Sequence, residues 1–371
     1  MHDLAIATEN SAQPWPAADA QLWHYRQPWL VGCNFTPSSA VNQLEMWQAA
    51  SFDAATIDRE LALAASLGMN ALRVYLHDLV FAADPLGFLA RIDSFLDIAA
   101  AHGLRTMLVL FDSCWHPEPA LGDQPAPTPG VHNSGWVQSP GTAALADPAN
   151  RERLRAYVET VVGRFADDPR VLAWDIWNEP DNGPEVSRCD PDELAAKAAL
   201  VIPLLVDAFR WARGRRPSQP LTSALWLGDW SKLTLLSGIQ AIQLAHSDII
   251  SFHNYGDADD FGRRVQWLKA FDRPILCTEF MARPTGSTFE AILPLARAKG
   301  VGALCWGLVR GKTQTHLPWD SWATPYLEGP AGPWFHDIFE ADGTPHDAAE
   351  VAFLRAITAA NDGAARWVAA E

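Results

Sequence analysis

The sequence predicts an α/β fold, a (β/α)8 TIM barrel forming a single domain over residues 1–371. Three observations carry this prediction. Short apolar runs alternate with longer amphipathic stretches along the chain, the pattern of repeated β-α units around a parallel sheet. Eight strand-like runs can be placed, the number such a barrel needs. The first run is followed by CNFTPSS rather than a glycine-rich phosphate turn, which argues against a doubly wound open sheet.

Taken in order, the strands are predicted over 29–35 (WLVGCNF), 71–76 (ALRVYL), 104–111 (LRTMLVLF), 171–177 (VLAWDIW), 221–228 (LTSALWLG), 249–255 (IISFHNY), 274–280 (PILCTEF) and 302–309 (GALCWGLV). Helical patterns fill 53–68 and 84–103, each continuing to a glycine at its end, as helix C-termini often do. Further helices fit 148–166, 190–213, 232–245, 259–271, 287–299 and 346–360. Residues 1–28 precede the first strand and are expected to pack on the barrel as an N-terminal extension. Two connections are long, 112–147 after strand 3 and 310–335 after strand 8. Both fall on the face where barrel enzymes build their sites. The first is rich in Pro and Gly, and the second carries three Trp.

Composition narrows the function. Asp and Glu outnumber Lys and Arg 44 to 28, for a net charge of −16. That balance argues against a nucleic-acid partner, which needs clustered cations, and against an anionic membrane surface. No apolar run of membrane-spanning length is present. The N-terminal stretch has neither a basic segment nor an apolar one, so no secretory signal is read there. The five cysteines (33, 114, 189, 277 and 305) show no zinc spacing, and the chain is expected to be cytoplasmic with reduced thiols. Seventeen Trp favour a ligand with flat apolar faces, such as a carbohydrate.

Cleaving a glycosidic bond takes two carboxyl groups, one protonated and one ionised. Position selects among the 44 acidic residues. A catalytic carboxylate belongs at the C-terminal end of a barrel strand, inside an otherwise apolar run. Glu179 closes strand 4 in AWDIWNEP, and Glu279 closes strand 7 in ILCTEF.

With strand 4 ending in Asn-Glu-Pro and strand 7 in Thr-Glu-Phe, the chain resembles clan A glycoside hydrolases, in particular the cellulase-like family 5. Arg73 on strand 2, His253 and Tyr255 in the H-x-Y of strand 6, and Trp306 on strand 8 extend the likeness from Cys33 to Trp306. The resemblance implies that Glu179 is the general acid/base and Glu279 the nucleophile of a retaining β-glycosidase, with no metal and no cofactor. Arg73 would keep Glu279 ionised and Tyr255 would orient it, while Asn178 would bind the sugar 2-hydroxyl. His253 would sit beside Glu179 or the sugar, and Trp306 would lie under the ring in the −1 subsite. Family members commonly place a His near the end of strand 3. Here Phe111 and Asp112 stand there, with Cys114, Trp115 and His116 beyond, so Asp112 or His116 is expected to take a sugar hydroxyl. Trp115 and Trp136 in the first long loop, with Lys312, Gln314, His316 and Trp319 in the second, complete the expected substrate-facing set.

Other readings remain open from the residues alone. The same carboxylates serve a transglycosylase. A carbohydrate-binding barrel without catalysis would be expected to lack one of them. A metal-dependent barrel hydrolase would want the H-x-H of strand 1, which is missing. Oligosaccharides or small glycosides are the expected substrates, and closure of one cleft end by loop 112–147 would make the action exo.

Overall fold

The computed structural model of the chain describes residues 13–182, 191–327 and 334–359. Its eight strands are β1 (Val31–Asn34), β2 (Ala71–Tyr75), β3 (Arg105–Asp112), β4 (Val171–Asn178), β5 (Leu221–Thr222), β6 (Ile250–His253), β7 (Ile275–Phe280) and β8 (Gly302–Cys305). All are parallel, in the order β5-β4-β3-β2-β1-β8-β7-β6. The ring closes between β5 and β6 through a bridge pairing Leu225 with Phe252 and a hydrogen bond between the Thr222 and Ser251 hydroxyls at 2.7 Å. The (β/α)8 barrel is therefore present.

The outer helices are α1 (Ala54–Ser66), α2 (Pro85–Ala101), α3 (Arg151–Arg164), α4 (Pro191–Gly214), α5 (Gly238–His246), α6 (Ala258–Leu268), α7 (Phe289–Lys299) and α8 (Ala348–Thr358). Their starts follow local chemistry. The Asp53, Asp84, Asp257, Thr288 and Asp347 side chains accept from free N–H groups of the first turn, and Ser237 with Gln240 forms a capping box. Behind α1 and α2 the chain turns at Gly68 (φ 72°) and Gly103 (φ 74°), a left-handed conformation that glycine adopts without penalty.

Two expectations need correction. The run 221–228 is not one strand: pairing with β4 stops at Thr222, and contact with β6 resumes at Leu225. The helix over 232–245 breaks into a turn at Leu233–Leu235 and the separate α5. The expected boundaries at 190 and 360, part of loop 310–335, Cys189 and residues 1–12 of the N-terminal extension lie outside the described residues. Residues 13–28 do touch the barrel. The Trp15 N–H donates to Asp248 at 2.6 Å, and Trp23, on the helix Ala17–Tyr25, packs under an inward cluster of Leu30, Ala71, Met107, Leu172, Ala173, Ile249, Leu276 and Leu304. Cys33, Cys114, Cys277 and Cys305 are free thiols. No helix among the described residues is long and apolar enough to cross a membrane.

The barrel interior is thus apolar at the bottom and charged above. Strand alternation turns Ala71, Arg73 and Tyr75 of β2 to one face, and Leu72 and Val74 to the helices. Arg73, Asp175 and Glu279 meet in the layer over the apolar plug.

Candidate active site

Arg73 organises the site from within the barrel. It is wholly buried, and all of its donor groups are used. Nε and Nη2 donate to Asp175 Oδ2 at 2.9 and 2.8 Å, and Nη2 also reaches Asn178 Oδ1 at 2.7 Å. Nη1 donates to Asn34 Oδ1 (2.9 Å), the Tyr75 hydroxyl (2.5 Å) and Glu279 Oε1 (2.7 Å). A guanidinium fork suits such a crowd of oxygens, where an ammonium would not.

Glu279, at the end of β7, accepts from Arg73 and from the Tyr75 hydroxyl (2.8 Å) on Oε1, and from the Tyr255 hydroxyl (2.7 Å) on Oε2. Burial raises its carboxyl above the ordinary range, and the Arg73 charge and the Tyr255 hydroxyl offset only part of that rise. Three donors, one of them cationic, favour the ionised form.

Glu179 follows β4 with a positive φ of 43°, a conformation that costs a non-glycine residue on the order of 1–3 kcal/mol and recurs at functional sites. Among the described residues no Lys or Arg touches its carboxyl. Oε2 accepts from Asn182 Nδ2 at 2.6 Å and lies 3.4 Å from the Cys114 thiol, and Oε1 lies 2.7 Å from His253 Nδ1. Burial raises the Glu179 carboxyl to about 7, against the hydrogen bonds of Asn182 and Cys114. The two glutamates differ because one has a guanidinium and the other does not.

His253 stands between them, its Nδ1 3.5 Å from Glu279 Oε2. Burial lowers it to about 4, so it is neutral near pH 7 and the cationic pull on Glu279 comes from Arg73. Among the described residues no group pairs with the buried His253 Nε2. An unused lone pair costs less there than an unpaired N–H, so the proton belongs on Nδ1 and is donated to Glu179 Oε1. That leaves Glu179 Oε2 to carry the acidic proton.

One ligand atom each from Glu179, His253 and Glu279 lie within 4.8 Å of one another, the one group among the described residues close enough to share a metal ion. Arg73 already supplies positive charge there. One oxygen of each glutamate lies within 4.8 Å of the other, closer than the roughly 6.5–9.5 Å that leaves room for a water between two carboxyls.

Above the pair opens a cavity of about 450 Å³ lined by six tryptophans: 115, 136, 226, 306, 319 and 322. Trp136 packs edge-on against Tyr75 (5.2 Å) and Trp306 (6.2 Å). Behind Trp136 and Trp306, on the β1 side, remains a void of only about 20 Å³, room for about one water. The short turn Trp319–Trp322 roofs the cavity: Trp319 meets Tyr255 at 5.1 Å, and Trp322 stacks on Trp115 at 4.8 Å.

The structure brings together Glu179, Glu279, Arg73, Asn178, His253, Tyr255, Trp306, Trp115, Trp136 and Trp319. It sets the other expected residues elsewhere. Asp112 sits behind the site, accepting from Trp136 Nε1 (2.6 Å), Gln43 Nε2 (3.1 Å) and Asn178 Nδ2 (2.9 Å). His116 is exposed, its ring bonded to the Ser134 carbonyl at 2.7 Å. Lys312 pairs with Glu45 at 2.5 Å. Gln314 ties loop to loop (Nε2 to the Thr128 and Val131 carbonyls at 2.8 and 3.0 Å), and His316 lies against Trp334 with ring centres 5.0 Å apart. None of these five lines the cavity. Residues not anticipated are Tyr75, Asp175, Asn182, His132, Trp226 and Trp322, together with Cys114 where a sugar-binding side chain was expected. Tyr75 and Asp175 had a signal, since each is a polar group inside an apolar strand, and Tyr75 falls two residues after Arg73. Trp226 falls inside the run 221–228 read as a strand, and the others lie on loops with no period to place them.

No protein-family model and no curated protein matches the chain. Among solved structures it is similar to an exo-β-1,4-mannosidase from Opitutaceae bacterium strain TAV5 (TM-score 0.58, 21% identity), covering 90% of this chain and 60% of that one. It thus spans less than two thirds of that enzyme. It is also similar to a GH5_18 variant from Streptomyces cattleya in complex with Manβ1-4GlcNAc (TM-score 0.57, 17% identity, 91% and 82% covered). A third similar structure is a β-glucosidase (TM-score 0.57, 14% identity, 91% and 99% covered). At these identities the likeness establishes a shared fold, the (β/α)8 barrel of known glycoside hydrolases.

Proposed function

We propose that the protein is a family 5 retaining β-glycosidase that removes single sugars from the ends of short β-linked oligosaccharides. The observation that carries this reading is the contrast between two carboxyl groups only a few ångströms apart. Glu279 is held charged by Arg73, Tyr75 and Tyr255, whereas Glu179 is raised to about 7 by burial. Burial raises both carboxyls, but only Glu279 has a guanidinium and two phenol hydroxyls on its oxygens, and two carboxyls in such unlike surroundings divide into nucleophile and acid.

In the first step Glu279 Oε attacks the anomeric carbon while Glu179 gives its proton to the departing oxygen, forming a glycosyl ester on Glu279. In the second, Glu179, now a carboxylate, takes a proton from water, whose oxygen replaces Glu279 with net retention. Asn178, held by Arg73, Asp112 and Cys114, lines the cavity beside Glu179, where a sugar ring would meet it.

The exo mode rests on the dead end. Trp136 and Trp306 close the β1 side of the cavity, and the void behind them has no room for a second ring. β-Mannosides are the first substrates to test, since an exo-mannosidase and a Manβ1-4GlcNAc complex share the fold. Intact-mass analysis after incubation with activated 2-deoxy-2-fluoro mannosides and glucosides is expected to reveal a stable adduct on Glu279. An adduct on any other carboxylate overturns the assignment.

A further inference from the structure

Of the residues lining the active-site cavity, two hold a buried polar side-chain atom that has no hydrogen-bond partner among the described residues: the Asn133 carboxamide oxygen and the Trp322 indole N–H. The first is an acceptor and the second a donor. A buried polar atom left unpaired costs more than a hydrogen bond gains, so each needs a reason to be there.

Backbone geometry does not supply that reason. Asn133 has a φ of 48°, a left-handed conformation that asparagine enters more readily than most residues. Such an asparagine commonly bonds its own backbone, but here the side-chain oxygen bonds nothing, and glycine would serve the turn as well. The main chain is fixed on both sides. Asn133 N–H donates to the Thr313 carbonyl at 2.8 Å, and the Asn133 carbonyl accepts from Trp136 N–H at 3.2 Å. His132 N–H donates to the Ser321 hydroxyl at 2.9 Å, so Asn133 and Trp322 each follow a member of a bonded pair. Trp322 is held flat on Trp115, with ring centres 4.8 Å and planes 7° apart. Both groups are carried on braced elements, yet have nothing to bond within the protein.

Trp136, whose N–H the Asn133 carbonyl receives, closes the β1 side of the cavity, the end at which the exo reading seats the terminal sugar. We propose that Asn133 and Trp322 are specificity-determining residues that read hydroxyls of that sugar, the carboxamide oxygen accepting from one and the indole N–H donating to one. This rests on the glycosidase reading above. It supplies what the tryptophan walls lack. Apolar walls discriminate weakly between sugars that differ by a hydroxyl, whereas a buried polar group rejects a ligand that leaves it unpaired.

The test uses the full chain with p-nitrophenyl β-mannoside and β-glucoside, and with the 3-, 4- and 6-deoxy congeners of whichever is cleaved. Asn133→Gly keeps the left-handed turn and removes the carboxamide. Its Tm should stay near that of the wild type, while kcat/KM on the parent glycoside falls about tenfold. On one deoxy glycoside the wild type should fall by a similar factor and Asn133→Gly should fall no further, because the bond is already gone. Trp322→Phe, which keeps a ring on Trp115 and removes the N–H, should show the same pattern with a fall of several-fold. Asn133→Gly as active as the wild type on the parent, or losses that multiply on all three deoxy glycosides, overturns the role of Asn133. Either result in Trp322→Phe overturns the role of the indole. A wild type that cleaves neither parent glycoside overturns the glycosidase reading itself.

Discussion

At the scale of single residues, the site places an acid where an acid is costly. The carboxyl of Glu179 is raised from an ordinary 4.5 to about 7, chiefly by burial. The folded protein therefore binds this proton more tightly than the unfolded chain does. Stability from this group is fully present below about 4.5 and is lost as pH rises toward about 7. Glu179→Gln removes the titration and should raise Tm at about pH 8 while changing it little at about pH 4, by an amount bounded at roughly 3 kcal/mol at 1.36 kcal/mol per pKa unit. Thermal scans at both pH values check this, and a difference that does not grow with pH contradicts the assignment of Glu179 as the buried acid. The residues of this layer were unequally legible. Glu179, Glu279 and Arg73 stand out in sequence because charge inside an apolar strand must have a reason. Asp175 obeys the same logic and anchors Arg73, accepting from its Nε and Nη2 on the single oxygen Oδ2. Cys114 gave no such signal: a thiol reads as a small hydrophobe, and only the fold puts it beside Glu179.

At the scale of elements, the two long loops act as one wall. Asn133 N–H donates to the Thr313 carbonyl at 2.8 Å, and His132 reaches the Ser321 hydroxyl and the Leu317 carbonyl at 2.9 and 2.8 Å. Gln314 completes the seam, accepting from Gly130 N–H at 3.0 Å and donating to two carbonyls. Sequence placed both loops on the correct face, because strand order alone does that. It could not separate ligand-facing side chains from loop-bracing ones, since both are polar. Gln314→Ala therefore tests the brace. It removes three hydrogen bonds, each worth about 0.5–1.5 kcal/mol, from loops rather than from the barrel. Expected are faster proteolysis within 112–147 and a several-fold higher KM, with Tm nearly unchanged. Equal proteolysis and KM in the variant would show that the wall stands without it. The misplaced end of strand 5 has a similar cause: an apolar run records burial, whereas the ladder ends where the chain bends away from β4.

At the scale of the whole molecule, the barrel separates what holds it closed from what it does. The β5–β6 seam has few ladder bonds, and its lower end is fastened by Asp248. This buried carboxylate accepts from Leu221 N–H (2.8 Å) on β5 and from Trp15 N–H (2.6 Å) of the N-terminal segment, and pairs with Arg213 of α4 at 3.0 Å. One side chain thereby joins the seam, an outer helix and the chain that plugs the barrel floor. Asp248→Ala leaves the buried Arg213 charge and two backbone donors unpaired, and breaking a buried pair this way costs about 3–5 kcal/mol. Glu179 and Glu279 lie at the other ends of the strands, above the apolar plug and the Arg73 layer. Asp248→Ala should accordingly lower Tm sharply and expose the N-terminal segment to proteases, while kcat/KM of the protein still folded at low temperature stays near the wild-type value. A loss of kcat/KM with Tm unchanged would mean that the floor and the active face are coupled through the barrel interior, and that the charged layer around Arg73 transmits strain instead of isolating it.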